Sequence, residues 1–423
     1  MEVIVENVRC FFGRHTVPVR PLTFVLGENS SGKTTLLAAI SALSRASFPS
    51  SRPGFEEPFD LGSYDSIASY KLGRLGRSDY FALGVVYERR REEVSINAVY
   101  SDIGGQPRLT SFLINRAGYR IAAKVSNGKA SVDLSGPNGI VLSVSEKDEQ
   151  GSDLSLQRTY TMIVRHITGS KPEEARDLIG VFEQFESLLR REQSIGEAYA
   201  LAPIRSKPRR TFDQVADDFN PEGGHIPLVL ARIWEEQDER EKNVVHDALV
   251  EFGQESGLLT DLRVRRLGRN PGEPFQIVVE IDGPPSRNLV DVGYGISQSL
   301  PLVVQSVLAS SRQRLLIQQP EVHLHPKAQA ALGTFFAKLV AAEKKNFVIE
   351  THSDYLVDRV RQEVANGTLK PENVQILFLE RSGVETSVHP LSVDQNGNLI
   401  GAPPGYRRFF LDEEEKLLGR PGS

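Results

Sequence analysis

One cysteine in 423 residues is too few for an intrachain disulfide or a thiolate metal cluster, and Cys10 fits a reducing compartment. No stretch approaches the roughly 18 consecutive apolar residues of a membrane-spanning helix. The opening Met-Glu-Val-Ile-Val-Glu has no apolar signal core. Positive charge is not in excess either: 50 Lys+Arg stand against 55 Asp+Glu, a formal net charge of −5. That balance argues against a surface that grips nucleic acid everywhere, and leaves local basic patches open. Internal repeats and low-complexity tracts are also missing. What is present, 39% hydrophobic and 25% charged residues, is the mixture of a folded chain long enough for two or three domains. Together these features lead to the expectation of a soluble, cytoplasmic protein without a membrane partner.

Residues 2–11 (EVIVENVRCF) and 22–26 (LTFVL) read as strands, followed by a Gly-rich turn and a helix over TTLLAAISALSR. Residues 50–78 give no clear element. From 80 to 144 the pattern alternates in short segments (YFALGVVYE, VSINAVY, LTSFLIN, YRIAAKV, IVLSVS). Turn signals at 104–105, 127–128 and 136–139 separate them, which predicts an antiparallel β lobe. Residues 145–153 read as a solvated loop. Helices are expected over 172–193, and over 226–256 as one long or two shorter pieces. The α/β character then returns, with buried-strand candidates at 315–319 and 347–350 and further strands at 374–379 and 384–393. The simplest arrangement is one α/β domain built from residues 1–90 and 285–423. It is interrupted by an insertion over 91–284, a β lobe followed by a helical segment.

The sharpest motif is Gly27-Glu28-Asn29-Ser30-Ser31-Gly32-Lys33-Thr34, an ungapped G-x-x-x-x-G-K-[ST]. Glycines let the backbone curl so that successive N–H groups face phosphate oxygens, and the next helix adds its positive end. Lys33 can reach the β- and γ-phosphates, and the Thr34 hydroxyl can ligate Mg²⁺. A strand before and a helix after supply the context such a loop needs. Far along the chain, Asp291 to Gln298 carries two glycines ahead of an apolar helix. LLIQQPEVHLHP (315–326) reads as a strand ending in polar residues, and FVIETHSDYLVDRV (347–360) as a strand delivering Thr351, His352, Ser353 and Asp354 to its C-terminal edge.

With these residues in hand, the sequence resembles an ABC-type P-loop ATPase head, a mixed sheet flanked by helices. The class is shared by SMC-like, RecF-like and overcoming-lysogenization-defect (OLD) proteins, and more narrowly by small bacterial AAA-family ATPases that lack a nuclease domain. The resemblance covers 1–50 and about 285–360 well, and 199–211 (YALAPIRSKPRRT) and the tail 396–418 more loosely. It implies that Gly27 to Thr34 is Walker A and that Gly293 to Gln298 stands for the signature motif. Leu315 to Gln319 is then Walker B, Val322 to Pro326 the D-loop, and His352 the switch histidine. On that basis Gly27, Asn29, Ser30, Ser31, Gly32, Lys33, Thr34 and Thr35, with Gly293, Gly295 and Ser297, are expected at ATP. Thr34 and Gln318 are expected at Mg²⁺. Lys33, Gln319, Glu321 and His352 are the catalytic candidates. The family sandwiches two ATPs between two heads, so a homodimer is implied.

One departure matters. Walker B normally ends in a metal-holding acid followed by a water-orienting glutamate, and here both are glutamines, Gln318 and Gln319. Glutamine can hydrogen-bond a water but cannot take its proton or bring charge to the metal. Slow hydrolysis, hydrolysis using Glu321, or an ATP-locked dimer are the expectations. Glu321, His323 and His325 sit between Pro320 and Pro326 and read as a loop with structural histidines rather than a metal cluster, and His352, Ser353 and Asp354 are adjacent and so ill placed to form a hydrolase triad. Two basic clusters remain: Arg205, Lys207, Arg209 and Arg210, and Arg263, Arg265, Arg266 and Arg269. They read as solvated faces, as a DNA-facing patch, or as arginines reaching the nucleotide or partner head. By resemblance, the expected role is the sensor subunit of a bacterial antiviral defence system controlling a separate effector, a nuclease or toxin. A RecF-like DNA-repair ATPase and a non-hydrolysing ATP-dependent scaffold are the alternatives.

Overall fold

A computed structural model describes residues 1–71, 76–89, 91–137, 139–147, 154–169, 196–213, 218–235, 239–268 and 273–407. The chain divides into two compact units. One comprises Met1–Val19, Ser30–Ala198 and Arg381–Ser387, the other Arg20–Asn29, Tyr199–Glu380 and Val388–Ser423. The expected helix over 172–193 and the end of the tail from 408 lie outside the described residues, as does Arg269.

The chain opens with β1 (Glu2–Val8), β2 (Phe11–Pro18) and β3 (Leu22–Gly27). Where one strand was expected over 2–11, there is a hairpin. Asn7 and Arg9 take left-handed φ values of 56° and 49°, and the pairing slips between Glu6 and Val8. Asn7 tolerates that conformation and its side chain accepts a bond from Gly13 N at 3.0 Å, so the turn forms without a glycine at its corner. After it come β4 (Tyr80–Arg89), β5 (Glu92–Ile103), β6 (Gln106–Arg116), β7 (Tyr119–Ser126), β8 (Lys129–Gly136) and β9 (Gly139–Lys147). With β1 and β2 they form one antiparallel sheet in the order β2-β1-β4-β5-β6-β7-β8-β9. The β lobe therefore has the predicted antiparallel pairing and takes in the first two strands of the chain. Asn127 and Gly128 turn β7 into β8 with φ of 51° and 69°, the pair of positive values that suits a tight hairpin. On the buried face Phe81 and Tyr100 stack with centroids 5.2 Å apart. A helix, Leu156–Gly169, follows β9 and buries Met162 and Ile163.

The second unit holds β3, β11 (Asp261–Arg266), β12 (Phe275–Glu280), β13 (Arg287–Asn288), β14 (Arg314–Gln318), β15 (Asn346–Glu350) and β18 (Leu399–Ile400), with most of β10 (Ala198–Leu201), β16 (Val374–Ser382) and β17 (Glu385–Val393). Strand order in the main sheet is β10-β14-β15-β3-β16-β17-β18, with β11-β12-β13 as a separate small sheet. The pairs β14–β15, β15–β3 and β3–β16 are parallel. All five residues of β14 are buried, which is why its middle, Leu315-Leu316-Ile317, is an apolar run rather than an alternation. Helices Tyr294–Leu308, Pro326–Glu343 and Asp354–Ala365 connect and cover these strands. The expected helix over 226–256 is two described helices, Ile226–Glu235 and Glu239–Ser256.

The core of this unit joins β3, β14 and β15 to the helices through Phe24, Leu249, Val303, Ile317, Phe336 and Phe347, all nearly or completely buried. Phe336 and Phe347 meet with centroids 4.9 Å apart. Truncating Phe336 to Ala should leave a cavity against Phe347 and cost about 3–5 kcal/mol, read as a lower urea midpoint with unchanged slope.

Candidate functional site

Strand β3 delivers the phosphate-loop motif. Its residues Leu22 to Leu26 are buried, and the strand ends at Gly27 with φ 144°. Two further left-handed residues, Ser30 (φ 63°) and Gly32 (φ 95°), curl the chain into the helix Lys33–Ser44. Gly32 is required twice over. Its φ is unfavourable for any side chain, and a Cβ there would stand 2.6 Å from Cys10 Sγ and 3.0 Å from Phe11 Cε2. The loop's outer carbonyls are tied back: Arg381 Nη1 donates to Ser30 O at 3.3 Å and Thr386 Oγ1 to Ser31 O at 3.0 Å. Gly32 caps the helix with no side-chain bond to its amides, and the first turn has no acidic residue to compete for them. Ser31 is fully buried and its hydroxyl has no partner. Lys33 is buried and Thr34 exposed at the head of the helix. A polyphosphate fits this set of donors, and the Thr34 hydroxyl supplies an oxygen of the kind Mg²⁺ takes.

The same sheet aligns the C-terminal ends of β14 and β15 beside that of β3. Gln318 is in register with Glu350, and Glu350 with Val25. Gln319 N donates to Glu350 O at 2.7 Å, extending the pairing one residue past β14, and Gln319 then turns off with φ 42°. Gln318 and Glu350 are both buried, with Gln318 Nε2 3.5 Å from Glu350 Oε2. Glu321 is engaged through both oxygens, accepting from Thr351 Oγ1 and from His352 N, each at 2.7 Å. This ties the 320–325 loop to the end of β15. His352 is exposed. Ser353 caps the next helix, accepting from Leu356 N at 3.1 Å while donating to Gln329 Oε1 at 2.6 Å.

Arg205 overturns its reading as a surface cation. It is 3% exposed, and its Nη2 donates to Gln318 O at 3.2 Å. Nε and Nη1 are buried without partners. Burial pushes the guanidinium down to about 10, with Glu321 acting in the other direction. Arg205 is thus buried at the end of β14 and does not form part of an exposed basic face. Lys207 and Arg209 are exposed. Arg210 is exposed but committed to Asp291, with Nη1 2.8 Å from Oδ2, and that bond holds the Asp291 carboxyl below the ordinary carboxylate range.

Asp291 leads into the signature-like segment. Gly293 precedes the helix Tyr294–Leu308, and Gly295 lies so close to the 320–325 loop that a Cβ would meet Leu258 at 3.2 Å and His323 O at 3.5 Å. Ser297 donates to Tyr294 O at 2.9 Å, and Tyr294 is exposed beside His323, ring centroids 5.9 Å apart. His325 caps the following helix, accepting at Nδ1 from Lys327 N at 3.3 Å. Among the described residues no three His, Cys, Asp or Glu side chains come together as a metal cluster. No described helix is long and apolar enough to cross a membrane. Sequence reading does not separate Arg205 from the other three cations of its cluster, and it gives no sign that Glu350 stands in register with Gln318.

Residues 184–357 match the family described as an AAA ATPase domain. That range takes in Gln318, Gln319, Glu321 and His352. No curated protein matches the chain. Among solved structures, an SMC head bound to the C-terminal winged-helix domain of ScpA is similar at 10% identity and TM-score 0.43, covering 93% of this chain and 98% of that one. The SMC head domain from Thermotoga maritima gives 11% identity, TM-score 0.40 and the same coverages. An SMC head from Pyrococcus furiosus, with an extended coiled coil and bound to the C-terminal domain of ScpA, gives 10% identity and TM-score 0.40, covering 99% and 98%. The AAA-domain match, taken with the phosphate-loop motif at the end of β3, supports a P-loop ATPase.

Proposed function

We propose that this chain binds ATP with Mg²⁺, hydrolyses it slowly, and pairs with a second copy of itself in the ATP-bound state. The observation that carries the reading is the phosphate-loop motif, with Gly32 at φ 95°, where a side chain would be strained and would crowd Cys10, and a helix without a side-chain cap directly behind it. Loop amides and the Lys33 ammonium would bind the phosphates, and Thr34 and Gln318 are the residues placed by motif at the metal. When bound, Mg²⁺ would offset the charge of the β- and γ-phosphates. Gln319 can orient a water and cannot accept its proton. Glu321 has both oxygens engaged, so it would have to release Thr351 or His352 to serve as a base. Slow turnover follows from those two facts.

The exposed Tyr294 and His323, where the signature-like turn meets the 320–325 loop, are the surface a second head would cover. By the sequence resemblance, the role we assign is regulation of a separate effector in a bacterial defence system, in the cytoplasm. A second reading, an ATP-locked clamp without hydrolysis, is favoured by the paired glutamines Gln318 and Gln319.

Purified chain should bind ATP in equilibrium dialysis, and Lys33→Ala and Gly32→Ala should each weaken binding at least about tenfold with unchanged circular dichroism. No binding by the wild type would end the ATP reading. Phosphate release should exceed the Lys33→Ala blank but stay below roughly 1 s⁻¹, the low end of ordinary enzyme turnover. Binding without any release would select the clamp. Light scattering should show twice the monomer mass with ATP and Mg²⁺ and the monomer without them; a monomer under both conditions would refute the pairing.

A further inference from the structure

We propose that Thr386 and Arg381 are positioning residues for phosphate binding: by holding the Ser31 and Ser30 carbonyls, they turn the Gly32 and Ser31 amides toward the nucleotide. This rests on the ATP reading above and deepens it, because it names what sets the direction of the loop's donors.

The groups involved belong to one compact unit, which takes in Met1–Val19, Ser30–Ala198 and Arg381–Ser387. Arg381 stands near the end of β16 and Thr386 is the second residue of β17, on either side of Gly383 with φ 62°. Arg381 Nε donates to Gly383 O at 2.8 Å, so the turn fixes its own guanidinium, and Nη1 donates to Ser30 O at 3.3 Å. Thr386 is fully buried. Its amide donates to Cys10 O at 2.9 Å and its hydroxyl to Ser31 O at 3.0 Å. The segment thus bridges the corner between β1 and β2 and the phosphate-loop motif.

A trans peptide unit is planar, with its C=O and the following N–H on opposite sides. The cis peptides among the described residues lie elsewhere, at 48–49, 57–58 and 284–285. Fixing the Ser31 carbonyl against Thr386 therefore points the Gly32 N–H away from Thr386. Arg381 does the same for the Ser31 N–H through the Ser30 carbonyl. Successive amides turned to one side by left-handed residues make a concavity that takes anions, and Ser30 and Gly32 have φ values of 63° and 95°. Ser30 carries a side chain, so its left-handed conformation costs free energy that neighbouring contacts must offset. The bond from Arg381 to the Ser30 carbonyl is such a contact.

Ser31 is fully buried, so its carbonyl has no water to turn to if the Thr386 hydroxyl is removed. Cys10 Sγ lies 3.9 Å from the same oxygen, and a thiol is too weak a donor to replace the hydroxyl. The peptide then loses its anchor and the Gly32 amide its direction. Thr386 acts on the phosphates through the backbone and needs no contact with them.

The test is the ATP affinity of the full chain in equilibrium dialysis with Mg²⁺. Wild type is compared with Thr386→Val, Thr386→Ser and Arg381→Met, each checked for folding by circular dichroism. Thr386→Val keeps the shape of the side chain and removes the donor. It should weaken binding roughly tenfold, the scale of one buried hydrogen bond left unmade. Thr386→Ser restores the donor with one methyl fewer and should stay within about threefold of wild type. Arg381 is exposed, so Arg381→Met does not disturb the core, and it should weaken binding about threefold or more. A folded Thr386→Val or Arg381→Met chain that keeps full affinity overturns the proposal and leaves ATP binding standing. Equal losses in Thr386→Val and Thr386→Ser overturn it too, because side-chain volume and not the donor would then matter. No wild-type affinity removes the ATP reading and this inference with it.

Discussion

Parallel pairing of β15 with β14 on one side and β3 on the other is the constraint from which the chemistry of the second unit follows. Parallel strands run in one direction, so their C-terminal ends meet at one edge, where loops leave the sheet and ligands bind in open α/β folds. Here that edge collects the start of the phosphate loop at Gly27, the glutamines at 318 and 319, and Glu350 with Thr351 and His352. The strands can be this apolar because helices cover them, and the helices are held by the same core that contains Phe336 and Phe347. Loss of register by one residue would turn Gln318 and Glu350 to opposite faces. Fold and site therefore depend on the same backbone bonds.

The electrostatics of that edge are unusual in their economy. Where two acids are expected at the end of β14 there are two amides, and charge stands on neighbouring segments instead: Glu350 on β15, Glu321 in the following loop, and Arg205 bonded to the Gln318 carbonyl. Arg205 keeps its proton at neutral pH although burial pulls it down to about 10, because even the lowered value lies well above 7. Its bond to the Gln318 carbonyl sets a cation against the backbone of the strand whose side chains have lost their charge. Glu321, bonded to Thr351 and His352, couples the loop after β14 to the turn after β15.

Much of this was legible in the sequence because it is written locally. The phosphate loop, the glutamine substitutions and the alternation of the β lobe each occupy a short window with its own physical signature. The correction at residues 2–11 arose because Asn7 and Arg9 turn the chain without a glycine, so β-branched neighbours hid the corner. Arg205 could not be separated from Lys207, Arg209 and Arg210 by composition, since burial of one cation among four depends on what folds over it. The register of Glu350 with Gln318 is not legible in the sequence, because pairing between parallel strands joined by a helix leaves no trace in the spacing of residues. The signature-like turn sits between these cases: its two glycines were visible, but the close approach of Gly295 to His323 belongs to tertiary structure.

Hydrogen exchange of residues 27–34, followed with and without millimolar ATP and Mg²⁺, tests the central claim most directly. If backbone amides of this loop cradle the phosphates, their exchange slows sharply on adding ATP, and the effect vanishes in Lys33→Ala. Exchange across 27–34 that is indifferent to ATP would contradict a nucleotide site at the end of β3.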